Sequence, residues 1–391
     1  MARMCVNALN KIQKRINFVR ALIGASILSA AGSLPLQILP FLVLSLVAGG
    51  RIDVAFAGWV GSSFLIGMLS SALLLPILGI KRLNGGHALG AVWAIVLAIF
   101  LSVDITFLPV FFSLWFVVGF ACGGLQFLGA TTAAAADNKP QAFALRLSVA
   151  LIIAGCVIIA LAQFESQKIY TKLAYFLIAA FGLSGIIGLA LYRSIAVTIE
   201  QPTDVAKDNK PMQRKWSGLV VVFCFFVGQP GFWAYAMQSA SQRGLDLKNA
   251  ALVIAAAKIA SAFILLYRSK NNAPTTGLGS QLALGSAIAL SIFAMTYSTV
   301  VVLFFIGFLI WELALNVLSA RLQGSVVSAS PRHAGAWITA AIMLGAATGP
   351  IIHGAAIRGD IEIFFITYSA ISGLLPFLWA NSMARRNQVS V

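Results

Sequence analysis

The stretch SIAVTIEQPTDVAKDNKPMQRKWS, residues 194–217, is the longest polar segment of the chain and lies near its middle. It contains two prolines and charges of both signs but no apolar periodicity, which is typical of a solvated linker. Long apolar stretches alternate with short polar ones on both sides of it. The segment therefore predicts two membrane-embedded halves, residues 1–195 and 217–391, joined by a cytoplasmic linker at residues 196–216.

The composition of the chain indicates an integral membrane protein. Apolar residues make up 60% of the 391 residues and charged residues only 10%, and the mean hydropathy is +0.93. A soluble domain carries about 25% charged residues. The net charge of +16 does not predict a nucleic-acid partner. The basic residues lie in short segments between apolar stretches, where the positive-inside rule accounts for them.

Apolar stretches long enough to cross a bilayer, which takes about 20 residues, occur on both sides of the linker. They predict an all-α polytopic membrane protein with two bundles of six transmembrane helices. The twelve predicted spans are residues 22–47, 54–79, 88–105, 107–134, 144–163, 173–195, 217–240, 248–267, 279–297, 299–320, 334–356 and 361–383.

The distribution of basic residues predicts that both termini lie in the cytoplasm. Most Lys and Arg face the cytoplasm in that orientation, and the bias continues to the C-terminus, as expected for an even number of spans in the plasma (inner) membrane. The run from Leu22 to Val47 is too long for a signal peptide, so residues 1–20 are predicted to be a basic tail. The only basic residues of the outer segments are Arg51, Lys168, Lys172, Arg243, Lys248 and Arg358. The other basic residues, Arg146 among them, are assigned to the cytoplasmic side, except for Lys258 inside a span.

Histidine and cysteine are too few and too scattered for a metal site or a disulfide framework. The three histidines, His87, His333 and His353, and the four cysteines lie in separate segments. An enzyme would need such groups clustered at one membrane face, so we expect no enzyme activity, no metal and no cofactor. No ATP-binding signature accompanies the spans, which makes an ion gradient the expected energy source.

Six spans, a charged linker and six further spans resemble the major facilitator superfamily of secondary transporters. PILGIKRL, residues 76–83, keeps one basic position, Lys81, of that family's G-x-x-x-D-[RK]-x-G loop. WFVVG, residues 115–119, keeps a helix-4 glycine, and GQPGFWAYAMQ, residues 228–238, is similar to the start of helix 7. The G-x-x-x-G-P signature of many drug antiporters is absent from residues 144–163, but a similar string, GAATGP, lies in helix 11.

This resemblance implies alternating access, in which two halves rock about a central site in the lipid bilayer. It further implies that helices 1, 4, 7 and 10 line the cavity, with contributions from helices 2, 5, 8 and 11. We expect the protein to act as a monomer.

Two opposite charges lie inside predicted spans. Lys258 is about 14 Å from the outer end of helix 8, and Glu312 is about 20 Å from the outer end of helix 10. An unpaired ammonium at such depth costs at least about 2.5–3.5 kcal/mol, so we expect the two to pair, directly or through water. The pair is either a substrate and proton site or a static packing contact. Asn316, one turn beyond Glu312 on the same face, is a candidate to bind the carboxylate or the substrate.

Helix 1 carries one polar face. Gln37 is its candidate cavity ligand, and its serines are expected to serve packing. Pro35 and Pro40 are expected to kink the outer half of the helix. Gln126 in helix 4 is a further candidate ligand from the first half. The polar face, with spacings of three and four residues, consists of Ser26, Ser29, Ser33 and Gln37.

Helix 7 carries the candidate ligands Gln229, Trp233 and Gln238. Pro230 and Gly231 predict a break in its hydrogen-bond ladder, and broken helices form binding sites in transporters. Trp233 shares a face with Gln229 and would either stack on a ring or a cation or anchor the helix at the membrane interface.

The GAATGP string of helix 11 predicts close packing and a hinge rather than ligand contact. Gly345 and Gly349 form a small-xxx-small face, which lets helices approach closely, and Pro350 follows them. His353, near the outer end of the helix, either titrates or is held by a hydrogen bond.

These features predict a secondary active transporter for a small organic solute, coupled to protons through Glu312. The Phe-rich interior slightly favours export of an amphipathic compound. Uptake of an organic anion or a nutrient is the alternative, because Lys258 suits an anion. A transport-inactive receptor or sensor with the same fold also fits the sequence.

Overall fold

The structure, a computed structural model, describes residues 2–78, 84–134, 136, 139–163, 169–192, 212–242, 244–270, 277–297, 300–329 and 334–389. Its regular elements in these ranges are all α-helices. Those of the first half are α1 (Ala2–Gln37), α2 (Leu39–Ala48), α3 (Val54–Ile77), α4 (Gly85–Ser102), α5 (Leu108–Ala134), α6 (Lys139–Gln163) and α7 (Tyr170–Leu191). Those of the second half are α8 (Met212–Gln242), α9 (Leu247–Lys270), α10 (Leu278–Tyr297), α11 (Val301–Ala329), α12 (Ala334–Arg358), α13 (Glu362–Ser372) and α14 (Leu375–Val389).

The prediction of an all-α polytopic chain is confirmed. Within the described ranges, 11 helices are long and apolar enough to cross a membrane, and the count reaches 12 if α13 and α14, bent by 43°, form one span. Most of the predicted linker lies outside the described residues, as do Lys81 and His333. α8 begins at Met212, earlier than the predicted residue 217, because the polar residues that follow it are good helix formers.

Helix 1 is interrupted at Ile38, between Pro35 and Pro40. α1 ends at Gln37 and α2 begins at Leu39, with Ile38 at φ −108° and ψ 11°. Pro40 has no N–H, so the carbonyl of Leu36, four residues earlier, has no partner within the helix. The interruption therefore leaves a backbone acceptor in the interior of the bundle.

Helix 7 is not broken, contrary to the prediction from Pro230 and Gly231. α8 runs without interruption from Met212 to Gln242, with Pro230 inside it. Neighbouring helices commonly stabilise a proline inside a membrane helix. Here the packing of α12 and α13 against α8 holds the backbone helical.

Arg51, between α2 and α3, binds the end of α4 rather than standing free in an outer loop. Its guanidinium donates to the carbonyls of Ser102 and Val103 at 2.7 Å each, and to that of Ile105. It also lies 4.6 Å from the ring centroid of Tyr170. The last carbonyls of a helix are unpaired and carry partial negative charge, which explains the position of the cation.

The two halves contact each other at the end of the bundle that holds the α2–α3 and α12–α13 turns, which we call the distal end. Ser62 of α3 donates to the carbonyl of Ala347 of α12 at 2.5 Å. Tyr235 of α8 donates to the carbonyl of Val54 at 3.1 Å and accepts from the Gly58 amide at 3.1 Å. These bonds close the distal end between first-half and second-half helices.

Candidate functional site

Lys258 and Glu312 form a buried ion pair between α9 and α11. Lys258 Nζ lies 3.1 Å from Glu312 Oε1, and the two side chains are 3% and 4% exposed. Both residues lie well inside apolar helices that pack on each other. Each charge therefore offsets the desolvation cost of the other.

The first half supplies the second ligand of Lys258. The Lys258 ammonium donates to Gln37 Oε1 at 2.7 Å. Gln37 is the last residue of α1, and the C-terminal end of a helix favours a cation. The ion pair of the second half is thus tied directly to the interrupted helix of the first half.

Trp233 of α8 completes the surroundings of Lys258. Its ring centroid lies 4.6 Å from Lys258 Nζ, which is a cation–π distance. Its Nε1 donates at 3.0 Å to the carbonyl of Leu36, the acceptor that Pro40 leaves free. Trp233 consequently joins the two halves at the level of the ion pair.

Asn316 lies beside the carboxylate on the same helix. Its Nδ2 donates to the carbonyl of Glu312 at 2.8 Å and to Glu312 Oε1 at 3.2 Å. Asn316 is half-buried, so one side of this polar group is open. We call Lys258, Glu312, Gln37, Asn316 and Trp233 the central site.

Aromatic rings form an apolar wall next to the central site. Trp233 and Trp311 stack with centroids 5.8 Å apart and an interplanar angle of 22°. Phe308 lies 5.6 Å from Trp233 and 5.5 Å from Trp311. Charged groups and aromatic rings are therefore packed together at the central site, and both are buried.

Gln229 does not take part in the central site, although the sequence places it on the face of Trp233. It is fully buried and donates to the Ser369 carbonyl and to Ser372 Oγ, both at 2.8 Å. It accepts from Trp311 Nε1 at 2.8 Å. The amide thus fixes α8 against α11 and α13. Gln238 is half-buried and is not among the contacts of Lys258 or Glu312.

A second polar cluster, which we call the arginine cluster, contains the predicted ligand Gln126 and one residue that was not predicted, Arg146. Arg146 of α6 donates to Gln126 Oε1 of α5 at 2.6 Å and to Ser29 Oγ of α1 at 2.9 Å. Gln126 in turn donates to the Ser29 carbonyl at 3.0 Å. Arg146 lies near the start of its span, so its charge was counted with the cytoplasmic segments. Its contacts with residues of two other helices cannot be recognised from the sequence.

The glycines of helix 11 lie at the crossing of α12 and α8. A Cβ atom on Gly345 would lie 2.5 Å from the Phe223 carbonyl, and one on Gly349 would lie 2.9 Å from the Gly231 amide nitrogen. Pro350, which follows them, is buried against α3, where its carbonyl faces Gly58. These positions therefore make close backbone contacts.

His353 also lies at this crossing, and it is buried. Its Nδ1 is 2.9 Å from the Gly231 carbonyl, and its Nε2 is 3.4 Å from Glu362 Oε1. Its ring stacks on Phe365 at 4.5 Å. Glu362 lies at the start of α13 beside this histidine.

No protein-family model matches the sequence, and no curated protein matches it. Solved structures do match. The human organic anion transporter MFSD10 (TETRAN) is similar over 93% of this chain and 99% of its own, with a TM-score of 0.63 and 15% identity. The nucleoside transporter NupG is similar over 93% of this chain and 98% of its own, with a TM-score of 0.65 and 14% identity.

FucP, a major facilitator superfamily transporter solved in the outward conformation, has a TM-score of 0.59 and 13% identity, over 93% of this chain and 99% of its own. Together with the helical architecture, these matches define the class: the chain has the fold of a polytopic membrane transporter. More particularly, that fold is the major facilitator fold, as the sequence predicted.

Proposed function

We propose that this protein is a secondary active transporter that moves a small organic solute by alternating access and couples the movement to protons through Glu312. The observation that carries the proposal is the buried Lys258–Glu312 pair, whose ammonium also binds Gln37 of the other half. If Lys258 served only to pack α9 against α11, the Glu312 carboxylate would be a sufficient partner and the bond to Gln37 would not be needed. A contact shared between the halves changes whenever the halves move.

The pair supplies a coupling mechanism. If the carboxylate of a solute takes the place of Glu312 at Lys258, Glu312 becomes an unpaired anion at membrane depth and takes up a proton. Conversely, protonation of Glu312 frees Lys258 to bind an anion. Anion and proton therefore favour each other's binding, and the reciprocity follows from linkage.

Contacts between helix 1 and the second half connect this coupling to the movement of the two halves. The Trp233–Leu36 and Lys258–Gln37 bonds both hold helix 1 to the second half. With cytoplasmic termini, as the basic residues predict, the distal end is the outer face. Loss of the Lys258–Gln37 bond on anion binding would then loosen helix 1 from the second half and favour the opposite orientation of the cavity.

A second candidate within the same class is favoured by the charges of the site. Cooperative binding of anion and proton amounts to symport, which in a membrane with an inward proton gradient drives uptake of an organic anion. Lys258 and Arg146 both suit such a substrate. Export of an amphipathic compound, favoured by the Phe-rich interior, remains a prediction from composition.

Transport driven by a pH gradient tests the proposal. Compounds that raise the melting temperature of the purified protein are first selected, and their accumulation in proteoliposomes is then measured with and without an imposed pH gradient. We expect the gradient to increase accumulation in the wild type and to have no effect in Glu312→Gln. Glu362→Gln, which removes a half-exposed carboxylate of the same half, is the matched control and should respond like the wild type.

Two results would contradict the proposal. Wild-type protein that binds these compounds but transports none of them would be a receptor or a sensor. A pH response of equal size in wild type and Glu312→Gln would remove Glu312 from the coupling step.

A further inference from the structure

Arg146 carries a positive charge into the bundle, and no carboxylate pairs with it in the part of the chain that the structure describes. It lies in the span Gln141–Gln163, about 7.5 Å from its start. Its side chain reaches Ser29 of α1 and Gln126 of α5, so it points between helices rather than toward the lipid headgroups. An arginine that merely extended to the interface would not make these two contacts.

The partners that hold Arg146 are neutral. Among the described residues, the ion pairs are Lys258–Glu312 and His353–Glu362, and neither includes Arg146. A guanidinium has five N–H donors, and the bonds to Ser29 and Gln126 use two of them. The side chain is also partly exposed. The cluster therefore orients a cation and leaves donors available to a ligand.

Burying an unneutralised cation lowers stability, and a binding site explains why the chain retains it. Intramembrane arginines that face a bundle interior commonly mark a ligand pathway. The remaining N–H groups suit a carboxylate, because the planar guanidinium matches it bidentately. The remaining N–H groups of Arg146 are thus complementary to an organic anion.

The arginine cluster and the central site lie along the same helix, α1. Ser29 and Gln37 lie on the same helix, eight residues or about 12 Å apart along its axis. Ser33, between them, continues the polar face. The aromatic wall of Trp233, Trp311 and Phe308 lies at the central site. The polar face of helix 1 thus runs from the arginine cluster to the central site.

We propose that Arg146, oriented by Gln126 and Ser29, binds the carboxylate of the transported solute and so makes this chain selective for organic anions. The inference rests on the proposed transporter function and names its substrate class. Arg146 attracts the anion whether or not Glu312 is protonated. Lys258 then competes for the anion only when Glu312 has been neutralised.

Thermal-shift measurements on the purified protein in neutral detergent test this assignment. The probes are benzoate, phenylacetate and p-aminohippurate, each compared with its neutral amide at equal ionic strength. We expect at least one carboxylate to raise the melting temperature of the wild type more than its amide does. In Arg146→Gln the affinity for that carboxylate should fall by about 10- to 100-fold, the loss expected for a charge-assisted hydrogen-bond pair.

A matched control and a conservative variant separate binding from folding. Arg321→Gln removes another arginine of the membrane helices, which donates to Ser280 at 3.1 Å, and should leave carboxylate binding unchanged. Arg146→Lys should retain part of the affinity, since it keeps the charge without the planar fork. Without added anion, the melting temperature of Arg146→Gln should equal or exceed that of the wild type, because it removes an unneutralised cation.

Three results would overturn the assignment. They are a lack of carboxylate preference in the wild type, an undiminished preference in Arg146→Gln, and a large fall in its ligand-free melting temperature, which would show that the arginine is a structural clamp. Failure of the assignment and failure of the transport proposal remain distinguishable. Glu312→Gln should still prefer carboxylates over amides even though its transport no longer responds to pH.

Discussion

Replacing Glu312 by Gln is expected to lower the free energy of unfolding by about 3–5 kcal/mol, because it leaves the Lys258 ammonium buried without a counter-ion. The side chain of Lys258 is 3% exposed, so water cannot take over the role of the carboxylate. Gln37 and Trp233 remain in contact with the ammonium but carry no negative charge. Reversible unfolding in mixtures of dodecylmaltoside and sodium dodecyl sulfate measures this change.

The double variant Lys258→Met/Glu312→Gln is the control. Well-packed hydrophobic replacements of a buried pair are neutral or stabilising by about 1–4 kcal/mol. The double variant likewise leaves no buried charge, so it should recover most of the stability that the single variant loses. A single variant as stable as the wild type would show that the pair is not energetically coupled in the membrane. A double variant as unstable as the single one would show that Glu312 stabilises the fold through groups other than Lys258.

Gly349→Ala is expected to have the second large effect, a loss of about 1–3 kcal/mol or more. The added Cβ would lie 2.9 Å from the Gly231 nitrogen and against the Val227 carbonyl. These are backbone atoms of α8, so no side chain can rotate to relieve the overlap, and α12 would have to move away from α8. The melting temperature in detergent checks the result.

Gly182→Ala is the matched control for this substitution. No atom lies within 4 Å of the position its Cβ would take, and alanine is the better helix former by about 1 kcal/mol. We expect its melting temperature to equal or exceed that of the wild type. If the two variants were equally stable, the α8–α12 crossing would not be as close as the structure places it.

The features that the sequence predicted well are those in which a charged residue lies within an apolar segment. Two charges in apolar helices predicted the pairing of Lys258 with Glu312, which the structure confirms. This signal follows from the cost of placing charged groups in hydrocarbon. That cost can be recognised in the sequence without knowing which helices are neighbours.

The elements that the sequence predicted poorly depend on which helix lies next to which. Gln229 and Trp233 are four residues apart, yet one is bound by α13 and the other by α1 and α9. Pro230 was expected to break its helix, but packing from neighbouring helices keeps it continuous. Arg146 was assigned to the cytoplasmic side because its span begins only a few residues earlier. Its contacts with Ser29 and Gln126 join residues that are far apart in sequence.

Proton uptake on anion binding tests most directly the claim that Lys258 and Glu312 couple a solute to protons. The purified protein in a weakly buffered solution with a pH indicator receives the carboxylate selected by thermal shift, and the protons taken up are compared with the anion bound. We expect about one proton per bound anion in the wild type and none in Glu312→Gln, as linkage between the two ligands requires. Anion binding without proton uptake in the wild type, or the same uptake in Glu312→Gln, would contradict the coupling mechanism.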